Sequence, residues 1–172
     1  LNVGAESKER ELADSEGNPE GRVLSLSQIK VLLDRASREG VEQIMLAGRE
    51  PTLRRDLGAV IRNATKRGIV VGIRTDGRRF TLPGYAQKLS DSGLRYAEVD
   101  VSGSSLNQEG ARENASFQQT CDGVEALLTV GVEVILRCSV VPATKAHLDF
   151  LTTFAAERPP LSILYVRSGS ED

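Results

Sequence analysis

The sequence predicts an α/β fold in which parallel strands form the wall of a partial barrel, and three observations carry that expectation. An amphipathic helix, a glycine and a strand recur in that order along the chain. The strands alternate apolar residues with charged ones, and their ends are rich in polar side chains. Strands separated by helices need crossover connections, which are right-handed and pair the strands in parallel.

The repeat can be followed element by element. Ile29, Leu32, Leu33 and Ala36 fall on one helical face, and Gly40 precedes a strand over residues 41–47. Leu57, Val60, Ile61 and Ala64 repeat the spacing before Gly68 and a strand over 69–74. A shorter helical pattern over 85–89 leads to Gly93 and a strand over 95–101. Val124, Leu127 and Leu128 precede Gly131 and a strand over 132–140, and a last helix over 148–155 passes through Pro159-Pro160 to a strand over 161–166. Each glycine stands where a helix ends in a left-handed residue. A sixth strand is expected upstream of Leu1, which makes residues 23–172 a partial (βα)6 TIM-like barrel and residues 1–22 a polar, glycine-containing loop.

An open doubly wound sheet is the competing architecture, and the strand faces decide against it. Val99 and Val101 point one way while Glu98, Asp100 and Ser102 point the other. Val134, Leu136 and Cys138 oppose Glu133, Ile135, Arg137 and Ser139 in the same manner. A sheet covered by helices on both faces reads as continuously apolar. One charged face implies helices on the outside only and a polar cavity within.

Composition narrows the function classes. The chain has 172 residues, 40% of them hydrophobic, enough for one domain with a substantial core. Its 22 basic and 24 acidic side chains leave a formal net charge of -2, so no broad nucleic-acid or anionic-membrane surface is expected. No apolar run approaches the ~20 residues that span a bilayer. Cys121 lies on an apolar helical stripe with Phe117, Val124 and Leu128, and Cys138 alternates with Val134, Leu136 and Val140. Both read as small buried hydrophobes, consistent with a reducing cytoplasm. The lone His147 cannot build a metal site. The pairs Arg54-Arg55 and Arg78-Arg79 read as solvated ends of helices or loops, against a phosphate or acidic partner as the alternative.

The strand ends are where a parallel barrel builds its working site. They carry Gly48-Arg49-Glu50-Pro51, then Thr75-Asp76-Gly77, then Asp100 and Ser102, then Arg137 and Ser139, then Tyr165 and Arg167. The first of these, with Thr52 and Leu53, resembles the glycine-glycine-glutamate-proline motif of the radical S-adenosylmethionine (radical SAM) enzymes. Leu24-Ser25-Leu26-Ser27 resembles the family's serine-capped first helix, and Arg74-Thr75-Asp76-Gly77 its threonine-asparagine-glycine strand end. Residues 98–103, 117–131 and 136–145 are similar to its fourth strand, the following helix and the fifth strand. Two positions depart from the pattern: Arg49 replaces the second glycine, and Asp76 stands for asparagine.

The resemblance implies an enzyme of oxidoreductase or transferase type. A reduced [4Fe–4S] cluster would cleave S-adenosylmethionine to a 5′-deoxyadenosyl radical that abstracts hydrogen from a substrate. It implies that Gly48, Arg49, Glu50 and Pro51 face the methionyl amino group. Asp100, Ser102 and Arg137 would serve the ribose and carboxylate, with Thr75 and Asp76 shaping the rim. No residue is nominated as catalytic and none as a metal ligand. The CxxxCxxC motif that holds the cluster is absent from this chain. Its ligands are expected upstream of residue 1, with 1–22 following the cluster loop. The alternative is that 1–22 replaces that loop, leaving a cluster-less binding or regulatory module. A reductant for the cluster and a peptide or small-molecule substrate are the implied partners.

Overall fold

The computed structural model describes residues 9–11, 24–101, 111–140, 145–158 and 161–167. Its strands are β1 (Glu9–Glu11), β2 (Gln43–Leu46), β3 (Val70–Thr75), β4 (Leu94–Asp100), β5 (Glu133–Val140) and β6 (Ser162–Arg167). The helices are α1 (Leu26–Arg38), α2 (Leu57–Thr65), α3 (Tyr85–Asp91), α4 (Ala111–Thr129) and α5 (Lys145–Ala156), with 3-10 turns at Pro51–Leu53 and Arg78–Thr81.

Strand order follows the chain, β1-β2-β3-β4-β5-β6. The β1–β2, β2–β3, β4–β5 and β5–β6 pairings are all parallel. Right-handed crossovers that always step in one direction place their helices on one side of the sheet. A doubly wound sheet reverses direction part-way, so this order selects the barrel-type winding that the strand faces predict.

The first strand corrects the sequence reading. It lies at Glu9–Glu11, inside the segment 1–22 expected to be a loop. Its three residues have no apolar alternation to announce them. They pair through the backbone, with Glu9 opposite Gln43, Arg10 opposite Ile44 and Glu11 opposite Met45, and main-chain pairing needs no side-chain pattern.

The chain divides into two compact units, Leu1–Arg74 with Lys88–Arg95, and Thr75–Gln87 with Tyr96–Asp172. In the first, Ser25 caps α1 through a capping box with Gln28. The helix packs by a narrower stripe than its spacing predicts: Leu33 is fully buried, whereas Leu32 and Val31 are 37% and 66% exposed. In α2, Leu57, Val60, Ile61 and Ala64 are all buried, as predicted. Register puts Ile44 beside Val71 and Leu46 beside Ile73, and these four are buried, as are the paired Met45 and Gly72 on the opposite face. The helix-ending glycines Gly40, Gly68, Gly93 and Gly131 all have positive φ.

In the second unit, Ala97, Val99 and Val101 are buried while Tyr96, Glu98 and Asp100 are half-buried. Val134, Leu136 and Cys138 are buried in β5, against exposed Glu133 and half-buried Ile135 and Arg137. Helix α4 contributes Val124 and Leu127 to this core, and α5 contributes Leu151 and Phe154. Arg158 stacks its guanidinium 4.0 Å from the centre of the Phe154 ring and ion-pairs with Glu125. No helix among the described residues is long and apolar enough to cross a membrane.

One close approach sets the position of α4 within this unit. A Cβ added at Gly123 would lie 2.1 Å from the carbonyl oxygen of Gly77 and 3.0 Å from its carbonyl carbon. Helix propensity alone predicts that Gly123→Ala stabilises by about 1 kcal/mol. The clash is with backbone and cannot be relieved by a rotamer, so we expect a loss of about 1–3 kcal/mol instead. Urea unfolding followed by circular dichroism decides the sign.

Candidate functional site

The turn after β2 begins at Gly48, whose φ of 140° lies in a region that L side chains rarely adopt. Arg49 beside it is exposed. Glu50 is extended, with φ -158° and ψ 99°, and caps the 3-10 turn that Pro51 opens. Its Oε1 accepts from the backbone N–H of Thr52 at 2.9 Å and from the Thr52 hydroxyl. Thr52 is buried, so a two-residue clamp holds the Glu50 carboxylate in place. The proline suits this position because the first residue of a helical turn has no use for its N–H.

The turn after β3 is built in the same way. Thr75 is buried, and its Oγ1 accepts from the N–H of Gly77 at 3.1 Å. The Asp76 carboxylate accepts from the Arg78 backbone N–H at 3.0 Å and from the Arg78 Nε at 2.8 Å. Thr120 on α4 donates its hydroxyl to the Asp76 carbonyl at 2.9 Å. Asp76 is therefore engaged in shaping its own turn, which accounts for an aspartate at this place: asparagine could not accept Arg78 as an ion-pair partner.

Asp100 and Arg137 stand opposite each other in the β4–β5 register, on the half-buried face. Arg137 Nη1 donates to Asp100 Oδ2 at 3.1 Å, with 25% of the Arg137 side chain and 39% of the Asp100 side chain exposed. The Val101 N–H donates to the Arg137 carbonyl at 2.9 Å, so the pair is also fixed through the backbone. An anchored guanidinium of this kind is suited to recognising a carboxylate through its planar fork.

Gly48, Arg49, Glu50 and Pro51 belong to the first unit, and Thr75, Asp76, Asp100 and Arg137 to the second. Ser102 lies outside the described residues. The residues that escaped the sequence reading are the supports. Thr52 could have been found, as a hydroxyl two places after an acidic residue in a turn motif. Thr120 could not, because its partner is 44 residues away.

The thiols do not fit an iron–sulfur cluster. Burial, then the Asp122 carboxylate, pushes the Cys121 thiol up to about 11, and burial, then Asp100, raises Cys138 as well. One is on α4 and the other on β5, whereas cluster ligation needs several thiolates gathered together.

Comparison with known proteins identifies the family of the chain. The profile of the Radical SAM superfamily matches residues 7–152. The chain is 30% identical over 158 residues to the Probable GTP 3',8-cyclase of Halobacterium salinarum, covering 88% of this chain and 43% of that protein. It is 33% identical over 145 residues to the mycofactocin maturase MftC of Mycolicibacterium smegmatis, covering 83% of this chain and 36% of that protein. The chain thus spans well under half the length of these curated relatives. The structure of Streptococcus suis SuiB bound to S-adenosylmethionine shares the fold, with a TM-score of 0.67 at 15% identity over 90% of this chain and 37% of that one. A family profile across most of the chain, together with a relative 30% identical over 88% of it, shows that this chain belongs to the radical SAM superfamily.

Proposed function

We propose that this chain supplies the S-adenosylmethionine-binding part of a radical SAM enzyme. The observation that carries the reading is the Asp100–Arg137 pair, set in register near the ends of two strands on the half-buried face of a radical SAM domain. Arg137 recognises the cofactor carboxylate, and Asp100 both orients Arg137 and offers a carboxylate to the ribose hydroxyls. The family resemblance assigns Gly48, Arg49, Glu50 and Pro51 to the methionyl amino group, and Glu50 is held by Thr52. Gly48 suits this role because nothing lies within 4 Å of where its Cβ would be, leaving its backbone open to a ligand. Thr75 and Asp76 shape the rim, and Ser102 joins the ribose contacts. In this family the bound cofactor supplies the radical that takes hydrogen from a substrate. The chain's own residues bind and orient it.

The cluster ligands belong to residues outside this chain, because Cys121 and Cys138 do not fit the role. The substrate is a small molecule or a peptide, and a reductant completes the system. Relatives named as GTP 3',8-cyclase act on a small molecule, which is compatible with that range.

A second reading is favoured by one observation. The stretch between β1 and α1, residues 12–25, contains no cysteine, and the family resemblance puts the cluster loop between the first strand and first helix. On this reading the domain binds S-adenosylmethionine without redox chemistry. Iron and sulfide analysis of the anaerobically reconstituted full-length protein separates the two. Stoichiometric cluster supports the enzyme, and cofactor binding without iron supports the module.

Arg137→Ala should weaken S-adenosylmethionine binding by roughly ten- to a hundredfold, the loss of a charge-assisted contact of about 1.5–3 kcal/mol. Arg158→Ala, at the opposite end of the strands beyond α5, should leave affinity unchanged. Calorimetric titration of the reconstituted protein measures both, with circular dichroism to confirm folding. Parent-like affinity in Arg137→Ala would remove the pair from the site.

The thiols give an independent check. Raising a thiol pKa leaves less thiolate at any pH below it, so Cys121 should alkylate slowly near neutrality. Its rate should keep climbing toward pH of about 11, whereas a free cysteine levels off above ~8.5. Mass spectrometry after iodoacetamide pulses follows Cys121, with the buried Cys138 as internal reference. A plateau near the free-cysteine value would mean that Cys121 is not packed as described.

A further inference from the structure

The sequence pattern predicts Arg54 and Arg55 alike as solvated, and the structure separates them. Arg55 is exposed, whereas Arg54 keeps only 19% of its side-chain surface. Its guanidinium meets Asp56 along one edge, with Nη2 donating to Oδ2 at 2.9 Å and Nε lying 2.6 Å from Oδ1. That Nε is buried and its contact is electrostatic, not a directed hydrogen bond. The remaining nitrogen, Nη1, donates at 2.7 Å to the carbonyl of Leu24, thirty residues back along the chain. Leu24 immediately precedes Ser25, the N-cap of α1. The backbone N–H of Arg54 closes the 3-10 turn by donating to the Pro51 carbonyl at 3.0 Å, so guanidinium and turn form one piece.

We propose that Arg54 is a positioning residue for cofactor binding, fastening the turn that carries Glu50 to the backbone that enters α1. The inference rests on the reading above, in which that turn receives S-adenosylmethionine. Two segments distant in sequence must keep a constant spacing if the turn is to present Glu50 and the Gly48 backbone to a ligand. The turn is short, and Leu53 at its tip is 61% exposed while Thr52 is buried. A planar fork keeps the spacing where an ammonium does not: one edge is neutralised by Asp56 while the far nitrogen reaches the carbonyl. Asp56 sets the direction of the fork and offsets the burial of its charge. A shift of about 1 Å in such a support is enough to cost up to a hundredfold at a site that the residue never touches.

The test uses the full-length, anaerobically reconstituted protein and S-adenosylmethionine itself. Arg54→Gln should raise the dissociation constant about ten- to a hundredfold and speed amide exchange at both ends of the tether, residues 24–29 and 51–54. Arg54→Lys should not restore the affinity, and Arg55→Gln should match the parent in both measurements. A parent-like dissociation constant in Arg54→Gln, whatever happens to its melting temperature, would reduce Arg54 to a stabilising role and overturn the proposal. If Arg54→Gln does not fold, Asp56→Asn carries the same measurement, since it frees the fork while keeping the guanidinium: weakened binding supports the proposal and unchanged binding overturns it. A parent that takes up no S-adenosylmethionine overturns the cofactor reading and this inference with it, whereas unchanged binding in the variants overturns this inference alone.

Discussion

Parallel strands cannot be joined by a tight turn, and most features of this chain follow from that constraint. Each strand has to be reached by a helix that returns along the sheet, and the returns through Gly40, Gly68, Gly93 and Gly131 end at a glycine with positive φ. When the crossovers keep one hand and one direction, the helices cover one face and leave the other half-open. The pleat then sorts the side chains. Val99 and Leu136 go to the helix-covered face, while Asp100 and Arg137, their neighbours in sequence, come together on the other.

The polar residues at the strand ends do two kinds of work. Glu50 and Asp76 both spend acceptor capacity on their own turns, Glu50 with Thr52 and Asp76 with Arg78. Such local hydrogen bonds are the reason that acidic residues favour turns, and they also remove rotamer freedom before any ligand arrives. A carboxylate already held in place loses less entropy on binding than a free one. Asp76 goes further than Glu50: with Arg78 across its carboxylate and Thr120 on its carbonyl, it is a support for the rim. This also explains why Gly123 faces Gly77, since a side chain on α4 there would push that turn away.

The departures from the family pattern have a consistent physical sense. Arg49 is exposed beside a glycine whose backbone is open, so it adds a cation at the mouth of the turn without filling it. The two thiols are used as packing groups, and their raised pKa values follow from burial more than from any neighbouring charge. A membership shown by the profile and a thiol set that does not match the family's cluster sit together because the two depend on different segments. The barrel strands and their turns define the domain, while the cluster depends on one loop.

Periodicity and punctuation alone determined the helices, most of the parallel strands, the glycine caps and the shared parity of Asp100 and Arg137. These depend on residues within a few positions of one another, where spacing dictates which face a side chain takes. The order of the sheet, the strand at Glu9–Glu11, the Asp100–Arg137 contact and the Arg54 tether to Leu24 were decided only by tertiary structure. Each joins segments distant in sequence. β1 is an example of pairing through the main chain, which leaves no mark on side-chain pattern. Arg54 and Arg55 are alike as letters, and only the fold, by bringing the carbonyl of Leu24 within reach of one of them, distinguishes a half-buried anchor from a solvated charge.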